Sequence, residues 1–182
     1  MVLGGGIKYI DDAFDEKTFS KNKAILLSPV IAILWVFAMF LSPASATILG
    51  AVFLAVLFRN KVDNIGFHVG AIAVVSGLAI LYFLRVVDFL WAPLVFLVLS
   101  GMFDEIGNDY VDAHPEVINI VRLFFEYRFV MKIAVFLLAV LGTYGFEYVI
   151  AFIGFDIAYA SVGKYSMKLK REQKFSTNHF SL

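Results

Sequence analysis

Ala24–Leu41, AILLSPVIAILWVFAMFL, runs for 18 residues without a charged side chain. As a helix it would rise about 27 Å, close to the hydrocarbon thickness of a bilayer, so it reads as a membrane-spanning segment. Lys17, Lys21 and Lys23 precede it, and Ser42, Pro43, Ala44 and Ser45 follow it. The second group makes a tight turn with no charge to solvate. Further apolar stretches lie at Ala46–Phe58, Phe67–Leu84, Phe89–Met102, Phe129–Leu141 and Tyr148–Gly163. The first of these would span only about 20 Å and leans on snorkelling by Arg59 or on local thinning of the bilayer. Gly70, Ser76 and Gly77 let the third span approach its neighbours closely, and Pro93 is expected to interrupt the fourth.

The 182 residues are 61% hydrophobic and only 16% charged, with a mean hydropathy of +0.85. That is too apolar for a soluble domain of this size. The expected fold is all-α: a polytopic membrane bundle of six transmembrane helices with cytoplasmic surface helices. One such helix is expected over residues 7–23, with Ile7, Ile10, Phe14 and Phe19 toward the membrane, and a second over 115–128. Residues 1–165 form one transmembrane domain, and 166–182 form a basic cytoplasmic tail that continues KYSMKLKREQK (Lys164–Lys174) and ends in disorder. The N-terminus carries no signal-peptide pattern, so Met1 is expected to begin the mature chain. With no cysteine, disulfide and thiolate chemistry are excluded, and His68, His114 and His179 are too scattered to suggest a metal site by spacing. His68 reads as a packing residue.

Formal charge is zero, yet the charges are segregated. Of 15 lysines and arginines only Arg85 falls in a loop opposite the others, and Lys132 lies within snorkelling reach of the basic side. The positive-inside rule makes that side cytoplasmic. Both termini, Arg59–Gly66 and Phe103–Arg128 then face the cytoplasm.

Two acidic clusters lie on that side: IDDAFDE (Ile10–Glu16) and FDEIGNDYVD (Phe103–Asp112). On a helix Glu105, Asp109 and Asp112 form one row, and Asp11 with Asp15 and Asp12 with Glu16 form two short ones. Stacked carboxylates repel unless a cation lies between them. The clusters therefore read either as a site where divalent cations bridge carboxylates to a phosphate or diphosphate, or as acidic residues that solvate loops. Lys17, Lys21, Lys23, Arg59, Lys61, Arg122 and Arg128 could hold the remaining phosphate charge, or simply obey the topology rule. Asp156, about two turns from the end of the sixth span, either faces a site or pairs with a nearby lysine. The 20 Phe and 8 Tyr are mostly lipid-facing or core, though aromatics also suit an isoprenoid chain or a developing carbocation.

Four spans separate the two clusters, and a surface helix and two spans follow the second. This arrangement resembles the UbiA-type intramembrane prenyltransferases, whose two Asp-rich cytoplasmic motifs hold Mg²⁺ and the diphosphate of a prenyl donor. IDDAFDE is similar to the first motif, NDxxDxxxD. Asp12 and Asp15 match its leading aspartates, Asp11 stands where Asn is usual, and Phe19 occupies the last aspartate position. The second motif, DxxxD, is matched by Asp104 with Asn108 or by Glu105 with Asp109. FRNKVDNIGFHVG (Phe58–Gly70) is similar to the family's basic loop through Arg59, Lys61 and Asn64. The resemblance covers about Ile10–Gly163.

It implies Mg²⁺ held by Asp11, Asp12, Asp15, Asp104, Glu105, Asn108, Asp109 and Asp112, with Asp12, Asp15, Asp104 and Asp109 in the catalytic roles. Lys17, Lys21, Arg59, Lys61, Asn64, Arg122 and Arg128 would bind an isoprenoid diphosphate, whose prenyl group passes to an acceptor. Family members carry two helices ahead of the first motif, and this chain has none there. A second subunit could close the pocket as a homo-oligomer, or the scaffold could persist without the reaction. The expected partners are the lipid bilayer and the isoprenoid diphosphate, with no nucleic acid. Two other functions compete: a non-catalytic lipid- or prenyl-binding membrane protein, and a small carrier in which Asp156 couples an ion.

Overall fold

A computed structural model describes residues 1–179, with side chains through Gln173. The end of the tail, Phe180–Leu182, where disorder was expected, lies outside the described residues. Eight helices and no strand occur among the described residues: α1 Val2–Phe14, α2 Lys21–Phe40, α3 Pro43–Phe58, α4 Ile65–Phe83, α5 Trp91–Ala113, α6 Asn119–Glu126, α7 Phe129–Val140 and α8 Phe146–His179. The fold is all-α. Three helices, α2, α4 and α8, are long and apolar enough to cross a membrane. The apolar helices α3 and α7 are shorter, at 16 and 12 residues.

The chain divides into two compact units. The first holds Met1–Trp35, Asp63–Gly77 and the chain from Ile153 on; the second holds Val36–Val62 and Leu78–Phe152.

In the first unit Ile10, Ala13, Ala24 and Ile31 form a buried core, with Ile7, Phe14, Phe19 and Phe67 packed against it. The surface helix expected over 7–23 is therefore corrected in extent and in partner. It ends at Phe14, residues 15–20 form a turn, and its apolar face packs on protein. The helix begins earlier than expected, at Val2, and runs through Gly4–Gly6. Glycine is a weak helix former, but a Cβ at Gly4 would strike the backbone carbonyl of Phe155, so only glycine lets α1 lie this close to α8.

In the second unit the core joins α3, α5 and α7 through Ile48, Ala51, Leu97, Val98, Met131 and Val135. Small residues set the spacing: a Cβ on Gly101 would come within 2.9 Å of the Ala55 Cβ. Ser42 caps α3 by accepting from the Ser45 amide at 3.0 Å, with Pro43 at the first helical position, where no amide hydrogen is needed. Pro93 likewise lies in the first turn of α5 and interrupts nothing. That helix continues from its apolar half through the whole acidic stretch to Ala113. A helix ends where its backbone bonds end, not where its side chains turn polar. The last helix shows the same behaviour, since α8 runs past Gly163 through the basic segment.

The usual distribution of polarity is inverted at many positions. Large apolar side chains such as Leu26, Ile33, Phe37, Ile72, Ile80 and Ile150 are exposed, while Asp12, Ser28, Thr47 and Asp104 are buried.

Candidate functional site: two clusters of paired charges

The first cluster sits at the end of α1. Asp11 and Asp12 lie three and four residues beyond Lys8, so one helical turn brings all three together. The Lys8 ammonium is 2.7 Å from Asp11 Oδ2 and 3.0 Å from Asp12 Oδ1, and Tyr159 directs its hydroxyl to Asp11 at 3.5 Å. Asp12 is only 2% exposed, and its Oδ2 has no hydrogen-bond partner. Burial pushes the Asp12 carboxyl above the ordinary aspartate range, against the pull of Lys8. Asp15 is also pushed up, by burial first and then by the neighbouring charges of Asp11 and Asp63.

The turn after α1 is tied to α8. Thr18 and Ser166 share a 2.6 Å hydroxyl hydrogen bond, Glu16 pairs with Lys170, and Phe19 stacks on Tyr9 at 4.3 Å.

The second cluster forms where α3 ends and α5 turns acidic. Asn60 adopts a left-handed conformation (φ 54°), which asparagine tolerates. The Lys61 amide donates back to Val56 O at 3.1 Å and the Asn60 amide to Leu57 O at 3.0 Å. This closure of α3 presents Arg59 and Lys61 together to Asp109. Arg59 Nη2 is 2.6 Å from Asp109 Oδ2, and Lys61 Nζ is 2.7 Å from Oδ1. One turn earlier, Glu105 Oε1 meets Arg128 Nη2 at 3.0 Å and Oε2 lies 4.0 Å from Lys61. Arg128 holds a left-handed backbone (φ 50°) between α6 and α7. Hydrogen bonds from Lys61 first, then from Arg59, hold the Asp109 carboxyl below its usual range. The same bond raises the Lys61 ammonium.

Asp104 has a different environment. Its Oδ1 and Oδ2 accept from the amides of Val130 and Met131 at 3.1 and 2.7 Å, so it caps the N-terminus of α7 from a neighbouring helix. A carboxylate there also meets the positive end of the helix dipole. It is 1% exposed, and burial raises its pKa to about 6 against the pull of those two amides.

The other candidates are dispersed. Asp112 accepts from Asn108 at 3.2 Å. Asn64 caps α4, its Oδ1 accepting from the Phe67 amide at 3.0 Å. Arg122 donates to the carbonyls of His114 and Pro115, and Lys21 lies 5.4 Å from the Phe14 ring centre. Lys17 and Lys23 are exposed, and Asp156 is half-buried on α8. His68 is exposed, not packed, and its Nδ1 lies 2.8 Å from Asn64 O.

The structure therefore groups Asp11, Asp12 and Asp15 in one unit and Arg59, Lys61, Glu105, Asp109 and Arg128 in the other. Lys8, Tyr159 and Asp63 belong with the first group and were not among the sequence candidates. The spacing of Lys8 from Asp11 and Asp12 was the available signal; the other two arrive by tertiary packing.

These donor sets, as arranged, do not fit a magnesium ion. The Lys8 ammonium occupies the bridging position between Asp11 and Asp12, and the second cluster sets three cations against Glu105 and Asp109. Among the described residues no three His, Asp or Glu side chains converge as a metal set. The chain matches no protein-family model, no curated protein and no solved structure.

Proposed function

We propose that this chain is an integral membrane protein, crossing the bilayer six times with both termini cytoplasmic, that binds an isoprenoid diphosphate and transfers its prenyl group to an acceptor, as the UbiA-type enzymes it resembles do. The membrane assignment is supported by the three long apolar helices and by large apolar side chains turned outward. The diphosphate assignment is carried by one observation: Arg59, Lys61 and Arg128 converge on two carboxylates one turn apart in α5. Three fixed cations suit a group whose charge grows as it leaves. In such a transfer the prenyl C–O bond breaks, its electron pair leaves with the diphosphate, and the acceptor forms the new bond to carbon and loses a proton.

A non-catalytic prenyl- or lipid-binding role is the second reading. It is favoured by Asp104, which caps α7 instead of facing a ligand.

Purified protein in lipid nanodiscs, titrated with farnesyl and geranylgeranyl diphosphate with and without Mg²⁺, tests both. Binding that weakens at least about tenfold in Arg59→Gln/Lys61→Gln, or about 1.4 kcal/mol, supports the site. Release of diphosphate when acceptors are added supports the enzyme, and binding without release supports the second reading. No binding under any condition overturns both.

A further inference from the structure

We propose that Asp109 is the resident counter-anion of a metal-independent anion site, so that a phosphate or diphosphate enters by displacing its carboxylate from Arg59 and Lys61. This rests on the reading that a diphosphate binds at this cluster, and it departs from the role that the family motif would give Asp109.

Three observations carry it. Asp109 uses one oxygen for each cation, at 2.6 and 2.7 Å, so its carboxylate already stands where a phosphate's oxygens would bind. It is also accessible, with 39% of its side chain exposed, so it can swing out without opening the core. Finally, Arg59 Nε is buried with no hydrogen-bond partner. Guanidinium groups bind oxyanions through pairs of parallel N–H bonds, and the Asp109 contact leaves this donor unmet. A tetrahedral oxyanion offers further oxygens in the same fork. A divalent cation finds the reverse situation, because Arg59, Lys61 and Arg128 outnumber the carboxylates Glu105 and Asp109 that would attract it.

Exchange of one anion for another makes Asp109 an internal competitor. Removing its charge while keeping its shape therefore strengthens binding, whereas removing a metal ligand destroys it. Inorganic pyrophosphate and farnesyl diphosphate are titrated into wild type and Asp109→Asn in zwitterionic nanodiscs, each with Mg²⁺ or with EDTA. The expected result is tighter pyrophosphate binding in Asp109→Asn, on the order of tenfold, with no change in EDTA. Parallel tightening of both ligands assigns recognition to the diphosphate, and a gain confined to the prenyl compound overturns exchange at this site. Should Asp109→Asn fail to fold, the wild-type arms decide: equal affinity in Mg²⁺ and EDTA supports the proposal, and loss in EDTA overturns it. Binding that needs Mg²⁺ and vanishes in Asp109→Asn would leave the diphosphate reading standing and refute counter-anion exchange. Absence of binding in every arm would refute both.

Discussion

Both charge clusters pair cations with carboxylates, yet they have opposite electrostatic characters. At the end of α1 one ammonium, Lys8, faces Asp11 and Asp12 with Asp15 close behind, and both Asp12 and Asp15 are pushed up in pKa. At α5 three cations face Glu105 and Asp109, and Asp109 is pulled down. The ratio of cations to carboxylates and the depth of burial decide the character of each cluster. A buried, acid-rich cluster resists ionisation and acts on the fold, and an accessible, base-rich one favours anions and is suited to a ligand.

The largest expected effect lies in the buried cluster. Lys8→Met leaves Asp11 and Asp12 facing each other with Asp12 buried and unpaired, a loss of about 3–5 kcal/mol by analogy with broken buried pairs. Thermal or chemical unfolding in detergent measures it, and Lys8→Met/Asp12→Leu should recover most of the loss. The pH dependence has a definite sign. A carboxyl whose folded pKa is raised binds its proton more tightly when folded. Its contribution is fullest below the ordinary aspartate range and falls as pH rises through the raised value. Lys8→Met should therefore be least impaired in acid; a deficit equal at every pH would refute the account.

Next in size is Asp104. Asp104→Ala orphans two amides at the start of α7, of which that of Met131 is buried, at a cost of about 1–3 kcal/mol for the buried group, and Asp104→Asn should lose less because its carbonyl still accepts. The carboxyl titrates near pH 6 by the same burial logic, so its contribution to stability declines as pH rises from about 4 toward 6. A titration at the ordinary aspartate value, or an unchanged melting point in Asp104→Ala, would remove Asp104 from the scaffold and return it to the candidate ligands.

Legibility in the sequence follows the range of the interaction. Ala24–Leu41 announced α2 because an uncharged run needs no partner to be recognised, and the row of Glu105 and Asp109 was visible because helical spacing is local. The Lys8 pairing was equally local. The reach of α5 and α8 beyond their apolar halves was not legible, since charge marks the end of a span without marking the end of a helix. Gly4–Gly6 concealed the start of α1, because the close approach of Phe155 that requires a glycine there comes from elsewhere in the chain. Asp104 looked like half of a DxxxD motif and caps a helix that starts 25 residues later, at Phe129.

The smallest stability effect belongs to the accessible pair, and that contrast sharpens the comparison most. Arg59→Gln breaks an ion pair whose partners are about a third exposed, and solvent screening holds such pairs to roughly 0–1 kcal/mol. The expected change in melting temperature is small and shrinks further in salt. If the cluster serves a ligand, the same substitution weakens pyrophosphate binding by far more than it weakens the fold, the reverse of what Lys8→Met should do. A stability loss from Arg59→Gln as large as that from Lys8→Met would mean that both clusters serve the scaffold, and the distinction between them would fail.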